Sequence, residues 1–587
     1  MGSDPRIAET CTQSLTLLAA GDIDGAGRLL DGIAARDDAR VAYVRGLIAM
    51  LRGEPQDARG HLAIAAARMP GDAAIHANWA LCLYQCDANE EALAASAHAL
   101  ALAPNHADNH YNRGLILLAL NLYRRAASNF ERAVQLAPQH ARGWARLAET
   151  RHALGANAEA DVAYRRALEL MPGDAALMVG LGALLNDSGM FADAFAVSER
   201  ALVLDPASTG AWTQRSIALR GLGRLDDALS AIDRALDVAP GDADALKARA
   251  LVRQMQDDLP AAADDFLRAA HVRFAPGGIA SRVPELRRTS RAKLAHDIEQ
   301  FAWLRDNNLL DGAEALRDLH LRALMSLPDT MGNALSIDLP APLLRELDGR
   351  YNRFHLETAA PAMRGGALNP ALDANAIQAD YAARVPGITW IDGLLRPETL
   401  DALRRYCMGS TFWFDFHHVN GYLGAFFEDG FAAPLLLQIA QELRQRFPDI
   451  FRDHKLTQLW AFKYDSRLEG IELHADIAAV NLNFWITPDT ANLDPESGGL
   501  VVWDKAAPPE WGLDEFNTST ASGQARIQRF LHDSGAQAVR IPYRQNRAVL
   551  FNSDLFHRTD TIRFREGYEN RRINITMLFG RREGRTH

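Results

Sequence analysis

Three side chains toward the C-terminal end of the chain have the types and spacing to hold one metal ion. His474 and Asp476 are separated by a single residue, and alternate residues of an extended chain point to the same face. Both can therefore reach the same ion. His557 adds a second imidazole at the end of a later strand-like run. We predict a metal centre made of His474, Asp476 and His557.

A second copy of the His-x-Asp pattern occurs at His106 and Asp108. A three-residue pattern is too short to be specific, so its surroundings must decide its meaning. This copy follows Pro104 in a turn between predicted helices, where no barrel would surround the two side chains. We interpret it as a chance match.

Alternation along one predicted strand separates two neighbouring arginines. Arg572 shares a face with Asn574 and Thr576, whereas Arg571 shares the opposite face with apolar residues. A polar face suits the interior of a barrel, and an apolar face suits packing against helices. We therefore expect Arg572 to point toward the site.

The elements that must position these residues are mainly strands. An extended apolar run at 387–392 and a predicted helix at 397–408 come first. Five strand-like runs follow, at 457–464, 480–486, 499–503, 548–551 and 573–579. Strands separated by turns predict a β-sandwich or barrel.

This assembly, over about residues 386–587, resembles the double-stranded β-helix (jelly-roll) domain of the iron(II)- and 2-oxoglutarate-dependent oxygenases. The resemblance implies that Fe(II) binds His474, Asp476 and His557 and that 2-oxoglutarate and dioxygen take the open positions. Family members that halogenate lack the metal carboxylate, so Asp476 implies hydroxylation or a related oxidation.

The same resemblance assigns three residues to the cosubstrate. Arg572 would bind the distal carboxylate of 2-oxoglutarate. Asn574 stands where the family pattern has a serine, which leaves the contact made by Asn574 open. Tyr464 resembles a tyrosine that often contacts the cosubstrate, a plain core role being the alternative.

An internal repeat of 34 residues occupies the N-terminal half of the chain. Prolines recur at this interval, at Pro70, Pro104, Pro138, Pro172, Pro206 and Pro240. Two alanine columns keep the same register, one at Ala58, Ala92, Ala126, Ala160, Ala194, Ala228 and Ala262, the other at Ala65, Ala99, Ala133, Ala167, Ala201, Ala235 and Ala269. Small residues let two helices approach, and each proline ends a helix.

This pattern is similar to the tetratricopeptide (TPR) family over about residues 39–272, with about seven units and a looser helical cap at 1–38. The resemblance implies an all-α superhelix whose concave surface binds a peptide or protein. Asn78, His110, Arg113, Gln214 and Arg215 could face such a ligand, a structural role being the alternative. We expect Trp144 and Trp212 to pack between helices.

Residues 273–385 lose the 34-residue period. Amphipathic patterns predict helices at 290–304 and 311–325, and Pro and Gly then punctuate the chain up to residue 370. We interpret this region as a helical linker or cap without a recognisable motif.

Composition limits the function classes. The 63 basic and 74 acidic residues give a net charge of −11, which argues against nucleic acid or anionic membrane as a general partner. The four cysteines are too few for a disulfide framework. No long apolar run or leader pattern occurs, so we expect a cytoplasmic protein.

The predicted fold is therefore multidomain, and the predicted function is hydroxylation of a peptide or protein side chain that the TPR array recruits. Two alternatives stay open. The oxygenase could act on a small molecule or glycan while the repeats bind a partner or form a homodimer, or the chain could be an inactive scaffold.

Overall fold

A computed structural model describes residues 5–33, 38–277, 286–328, 332, 336–347, 349–417, 421–452, 454–465 and 470–581. Residues 1–4 and 34–37 of the predicted cap, parts of the predicted linker, and residues 418–420, 453, 466–469 and 582–587 of the predicted oxygenase domain lie outside them. The chain divides into two compact units, Met1–Arg224 and Leu225–His587.

The described part of the first unit is helical. Its helices are α1 (Pro5–Ala19), α2 (Ile23–Asp31), α3 (Ala39–Leu51), α4 (Pro55–Arg68), α5 (Ala73–Gln85), α6 (Asn89–Leu102), α7 (Ala107–Ala119), α8 (Tyr123–Leu136), α9 (Ala141–Ala153), α10 (Asn157–Leu170), α11 (Ala175–Asp187), α12 (Phe191–Leu204) and α13 (Thr209–Gly221). Consecutive helices pack in pairs, beginning with α1 on α2 and α3 on α4.

The repeat pattern accounts for this packing. Every alanine of the two columns between residues 58 and 201 is at most 1% exposed. Each repeat proline stands two residues after a helix end, as Pro70 does after Arg68 and Pro104 after Leu102. The predicted helical repeat is confirmed.

The second unit begins with three more helices of the repeat region and continues into a mixed region. Its helices are α14 (Leu225–Val238), α15 (Ala243–Met255), α16 (Leu259–Arg273), α17 (Arg291–Asp306), α18 (Ala313–Met325), α19 (Ala341–Leu347), α20 (Ala374–Ala383), α21 (Pro397–Gly409), α22 (Pro434–Arg446), α23 (Pro448–Phe451), α24 (Leu513–Phe516) and α25 (Ala521–Asp533). Its strands are β1 (Arg288–Thr289), β2 (Ile337–Asp338), β3 (Ile388–Asp392), β4 (Leu423–Phe426), β5 (Leu456–Tyr464), β6 (Val480–Trp485), β7 (Leu500–Ala506), β8 (Ala538–Ile541), β9 (Arg547–Asn552), β10 (Leu555–Thr559) and β11 (Arg572–Phe579).

Antiparallel sheets form the C-terminal region. The larger sheet has the order β3-β9-β6-β11-β5-β4, the smaller has the order β10-β7-β8, and β1 pairs with β2 alone. The five predicted strands are all present, with ends that differ by at most three residues. Strands β1, β2, β4, β8 and β10 were not predicted.

Alternate residues of the larger sheet pack into two different cores. Phe462 and Tyr464 of β5 join an inner cluster with Val502 of the smaller sheet. Leu459 and Ala461 of the same strand join an outer cluster with helical residues. The inner cluster lies between the two sheets, which is where the polar site residues are found.

The last helices of the repeat region share the outer core. Phe266 and Phe274 pack in one cluster with Phe354 and Phe431. The region between the repeats and the sheets therefore contributes buried side chains to this unit. None of the helices in the described part of the chain combines the length and the apolar composition that a membrane crossing needs.

Candidate metal centre

A pair of backbone hydrogen bonds brings the two predicted histidine ligands together. The amide of His474 donates to the carbonyl of His557 at 3.0 Å, and the amide of His557 donates to the carbonyl of His474 at 2.8 Å. Their ring centroids lie 4.3 Å apart. Asp476 completes the group, and one ligand atom from each of the three residues lies within 4.8 Å of the others.

Each imidazole is oriented by a hydrogen bond to the backbone carbonyl two residues before it in the chain. His474 Nδ1 lies 2.8 Å from the carbonyl of Glu472, and His557 Nδ1 lies 3.0 Å from the carbonyl of Leu555. A carbonyl only accepts, so both Nδ1 atoms carry the proton and both Nε2 lone pairs face Asp476. The Nε2 atoms of His474 and His557 lie 3.7 and 3.5 Å from the Asp476 carboxylate.

The protonation states of His474 and Asp476 favour metal binding at this centre. Burial lowers the pKa of His474 to about 4, and the neighbouring His557 acts in the same direction. Burial alone would raise the pKa of Asp476, but the contact with His557 and the hydrogen bond from Asn481 contribute to lowering it. His474 therefore presents a neutral imidazole and Asp476 a carboxylate.

Buried asparagine side chains form a hydrogen-bond network that ends at the Asp476 carboxylate. Asn481 Nδ2 donates to Asp476 Oδ2 at 2.7 Å, and Asn483 Nδ2 donates to Asn481 Oδ1 at 2.6 Å. Asn574 and Thr576 then donate to Asn483 Oδ1, at 2.8 and 2.7 Å. The network links the β6 asparagines to the polar face of β11.

Arg572 lies at the other end of the same interior. It is 1% exposed, and its Nε donates to the carbonyl of Gly498 at 2.7 Å. Among the described residues its Nη1 has no hydrogen-bond partner. Burial lowers the pKa of Arg572, but a guanidinium stays charged in proteins. A buried charged donor without a partner is costly unless a ligand accepts from it.

Tyr464 and Asn574 flank this guanidinium. Tyr464 pairs directly with Arg572 between β5 and β11, and the Arg572 guanidinium carbon is 4.9 Å from the tyrosine ring centroid. Burial raises the pKa of Tyr464, so its hydroxyl stays protonated. Asn574 Oδ1 is buried and has no partner within the described residues.

One cavity connects these groups. Its volume is about 40 Å³, and its lining includes His474, Asp476, His557, Arg572 and Asn574. The donor set fits a divalent transition metal, because two imidazoles and one carboxylate occupy one face of the ion. The free Nη1 of Arg572 fits an anionic group at the far end. All six predicted site residues therefore line one cavity.

The structure also tests the predictions made for the strand position of His557, for Arg571 and for the His106 motif. His557 lies inside β10 and not at a strand end, because β9 ends at Asn552 and a tight turn starts a new strand at Leu555. Arg571 points the other way and pairs with Glu299 of α17 at 2.7 Å, as alternation along the strand predicts. Among the described residues, the His106 motif forms no metal cluster.

The polar residues considered for the concave surface have partners within the helical region. Their contacts are Asn78 with Tyr43, His110 with Pro104, Arg113 with Leu93, Gln214 with Asn186 and Arg215 with Glu199. Trp144 and Trp212 donate to the carbonyls of Pro138 and Pro206, at 3.0 and 2.9 Å. These contacts favour structural roles for all seven.

The sequence makes Asn481 and Asn483 possible pocket residues, but the turn after Asp476 leaves the direction of their side chains open. Both lie on the inward face of β6 and carry the network that supports Asp476. Two asparagines at alternate positions of an otherwise apolar strand are the signal that could have identified them. Trp460, whose buried Nε1 has no partner in the described chain, was not predicted.

Comparison with known proteins bears on the helical region. A family model for the tetratricopeptide repeat matches residues 111–162 and 213–279. No curated protein matches the chain.

Solved structures with similar repeats include YrrB, a TPR protein with an unusual peptide-binding site. It is 24% identical, covering 32% of this chain and 97% of its own, with a TM-score of 0.30. A TPR protein from Parabacteroides merdae is 16% identical, covering 40% and 94%, with a TM-score of 0.35. Pseudomonas aeruginosa pilF is 21% identical, covering 38% and 99%, with a TM-score of 0.33. The helical region of this chain carries tetratricopeptide repeats.

Proposed function

We propose that the C-terminal region is an iron(II)- and 2-oxoglutarate-dependent oxygenase that hydroxylates a peptide or protein side chain. One observation carries the proposal. The cavity that joins His474, Asp476 and His557 also contains Arg572, whose buried Nη1 has no partner among the described residues. The antiparallel sheets that surround it are consistent with a double-stranded β-helix.

Different residues of the chain would bind Fe(II) and 2-oxoglutarate. His474, Asp476 and His557 would hold Fe(II), with their orientation set by the carbonyls of Glu472 and Leu555 and by Asn481. Arg572 would bind the distal carboxylate of 2-oxoglutarate through Nη1, because a charged guanidinium forms short, strong hydrogen bonds to carboxylates. Tyr464 and Asn574 lie beside that position.

When bound, iron and 2-oxoglutarate supply the oxidation: a C–H bond, dioxygen and 2-oxoglutarate become C–OH, succinate and carbon dioxide. The protein's part is positioning and exclusion of water. Tyr464 and Trp485 are 1% and 0% exposed and enclose the Arg572 end of the cavity. The metal end opens toward a larger cleft, from which a substrate can enter.

The repeats supply the reason to propose a macromolecular substrate. TPR arrays bind peptides or proteins through the surfaces that stacked helices create. An array on the same chain would raise the local concentration of a tethered substrate near the metal. We propose that the array recruits the substrate protein.

An anaerobic titration tests the cofactor site. Purified protein receives Fe(II) and then 2-oxoglutarate, and the visible metal-to-ligand charge-transfer band of the chelate is followed. We expect the band in the wild type and its loss in His474→Ala, Asp476→Ala and His557→Ala, since each variant removes one ligand.

His106→Ala provides a matched control, because it removes the histidine of the other His-x-Asp motif. We expect it to leave the band unchanged. No band in folded, iron-loaded wild type would reject the oxygenase proposal. An intact band in any of the three ligand variants would reject the assigned triad.

A further inference from the structure

A cleft of about 470 Å³ opens above the metal centre. Its lining includes His474 and Asp476 at the base and Tyr422, Phe426 and Trp460 along one side. It shares Trp460, His474 and Asp476 with the smaller cavity that contains Arg572. A group bound in this cleft would therefore lie next to the metal.

The last tetratricopeptide repeat forms part of the cleft wall. Gln254 of α15 lines it, although that residue belongs to the repeat region. Gln254 Nε2 donates to the carbonyl of Thr457 on β5 at 3.0 Å. Among the described residues its Oε1 has no hydrogen-bond partner, so it can accept from a ligand.

Several contacts hold the repeat in this position. Lys455 Nζ donates to the carbonyl of Met255 at 3.2 Å, and Arg444 pairs with Asp257 at 3.0 Å. Phe266 of α16 packs edge-on against Phe427 at a centroid distance of 4.9 Å. Polar and apolar contacts thus anchor the last repeat, and they keep Gln254 in the wall of the cleft.

The polar groups of the cleft suit a peptide. Gln254, Gln458 and Asn517 each place a carboxamide on its lining. A carboxamide both donates and accepts, which matches the N–H and C=O of a peptide backbone. Trp460 Nε1 is buried without a partner in the described chain and adds a free donor. Buried donors of this kind are normally satisfied, and a bound carbonyl would do so.

The charges of the cleft disfavour an acidic substrate. Glu428 and Asp429 line it in addition to the metal ligand Asp476, and the described lining contains no lysine or arginine. Lys247 pairs with Glu428 at 2.6 Å but is not part of the lining. A carboxylate brought into this partly buried space would meet the like charges of Glu428 and Asp429. No lysine or arginine of the described lining would offset that repulsion.

We infer that this cleft binds a polypeptide segment carrying a neutral or cationic side chain and that Gln254 of the last repeat contacts its backbone. The inference rests on the proposed function, because it uses the metal at the base of the cleft. The repeat region would then serve the active site directly through its last unit.

The test is a selection from a random mRNA-displayed peptide library. Full-length protein is loaded with Fe(II) and 2-oxoglutarate without oxygen, so that bound peptides are not turned over. Dioxygen is then admitted, and mass spectrometry identifies the bound peptides that gain one oxygen atom. We expect the oxidised position to be depleted in Asp and Glu relative to the library.

Gln254 in α15 and Gln256 directly after the end of α15 provide a matched pair of variants. Gln254→Ala should weaken binding of the oxidised peptides roughly three- to tenfold, the value of one neutral hydrogen bond. Gln256→Ala should not weaken it, because Gln256 bonds to Asp226 at 2.9 Å and does not line the cleft. The charge-transfer band should persist in both variants.

Each other outcome rejects a separate part of the inference. Equal peptide binding by wild type and Gln254→Ala would show that Gln254 of the last repeat does not contact the substrate. Enrichment of Asp or Glu at the oxidised position would reject the charge preference. A normal band without any oxidised peptide would reject the peptide substrate, whereas a missing band would reject the proposed function itself.

Discussion

At the scale of single residues, the candidate metal centre depends on how each of its three side chains is oriented. Backbone carbonyls accept from the Nδ1 atoms of His474 and His557, and Asn481 donates to Asp476. Such partners fix the direction of the ligand lone pairs before any ion binds. Within the described part of the chain, Nη1 of Arg572 has no hydrogen-bond partner.

Arg572→Lys should weaken 2-oxoglutarate binding roughly 10- to 100-fold. The substitution keeps the charge but loses the forked hydrogen bonding to a carboxylate, and bonds to charged groups contribute about 1.5–3 kcal/mol. The measurement is the dependence of the charge-transfer band on 2-oxoglutarate concentration. Arg558→Lys is the control, because Arg558 is exposed on β10. Unchanged affinity in Arg572→Lys would place the cosubstrate elsewhere.

At the scale of elements, each repeat depends on how closely two helices approach. A Cβ at Gly114 of α7 would lie 2.4 Å from the Phe130 ring of α8. A Cβ at Gly182 of α11 would meet no atom nearer than 3.5 Å. Two glycines at the same position of different repeats therefore have different local requirements.

Gly114→Ala should destabilise the helical unit by about 1–3 kcal/mol through overpacking against Phe130. Gly182→Ala should be neutral or stabilise it by up to about 1 kcal/mol, because alanine favours the helix. Urea unfolding followed by far-UV circular dichroism compares the two variants with wild type. A similar loss in both would show that close approach is not the reason for glycine at residue 114.

Helices α17 and α18 enclose a second group of ionisable residues. Lys293 and His296 lie 2.8 and 3.0 Å from Asp297, and His320 lies 3.7 Å from it. Burial lowers the pKa of both His296 and His320. In the unfolded chain these two histidines take up protons near pH 6.5. In the folded protein they stay neutral to lower pH. Stability should therefore fall as the pH drops below about 6.5.

His320→Asn should reduce this pH dependence by up to about 1.4 kcal/mol per pH unit, the contribution of one titrating group. The free energy of unfolding is measured in urea at pH 7, 6 and 5. His532→Asn is the control, because that side chain is 88% exposed. An unchanged slope in His320→Asn would mean that His320 titrates normally in the folded state.

At the scale of the whole molecule, the repeats do not end where the second compact unit begins. Residues Leu225–Arg273 continue the helical pattern, yet apolar side chains of α15 and α16 pack with those of the sheet region. Ala250 and Phe266 are fully buried, and Leu259 is 6% exposed in that shared core. The sheet region and the last repeat therefore form one packing unit.

A chain that starts at Leu225 should keep the charge-transfer band, whereas a chain that starts at residue 273 should not fold. The longer deletion removes several buried side chains worth about 1.5–3 kcal/mol each, against a total stability of about 5–15 kcal/mol. Near-UV circular dichroism and the iron titration measure both chains. A folded, band-forming chain from residue 273 would contradict the shared core.

The chain from Leu225 also separates the recruitment model from its alternative. Loss of activity on the intact substrate protein, with activity on a short peptide retained, would support recruitment by the removed repeats. Equal activity on both would favour a substrate that needs no recruitment.

The sequence by itself determined the features that repeat or alternate locally. The 34-residue interval predicted the helical pairs, and all fourteen alanines of its two columns are at most 5% exposed. Alternation along β11 separated Arg572 from Arg571 correctly. Such patterns are visible in the chain because helices and strands place residues on faces with fixed periods.

Only the tertiary structure decided which distant residues meet. The turn before β10 puts His557 within a strand, and the pairing of β6 with β11 joins Asn483 to Thr576. Gln254 reaches Thr457 across 203 residues of chain. These contacts depend on how whole elements pack, which no local period encodes.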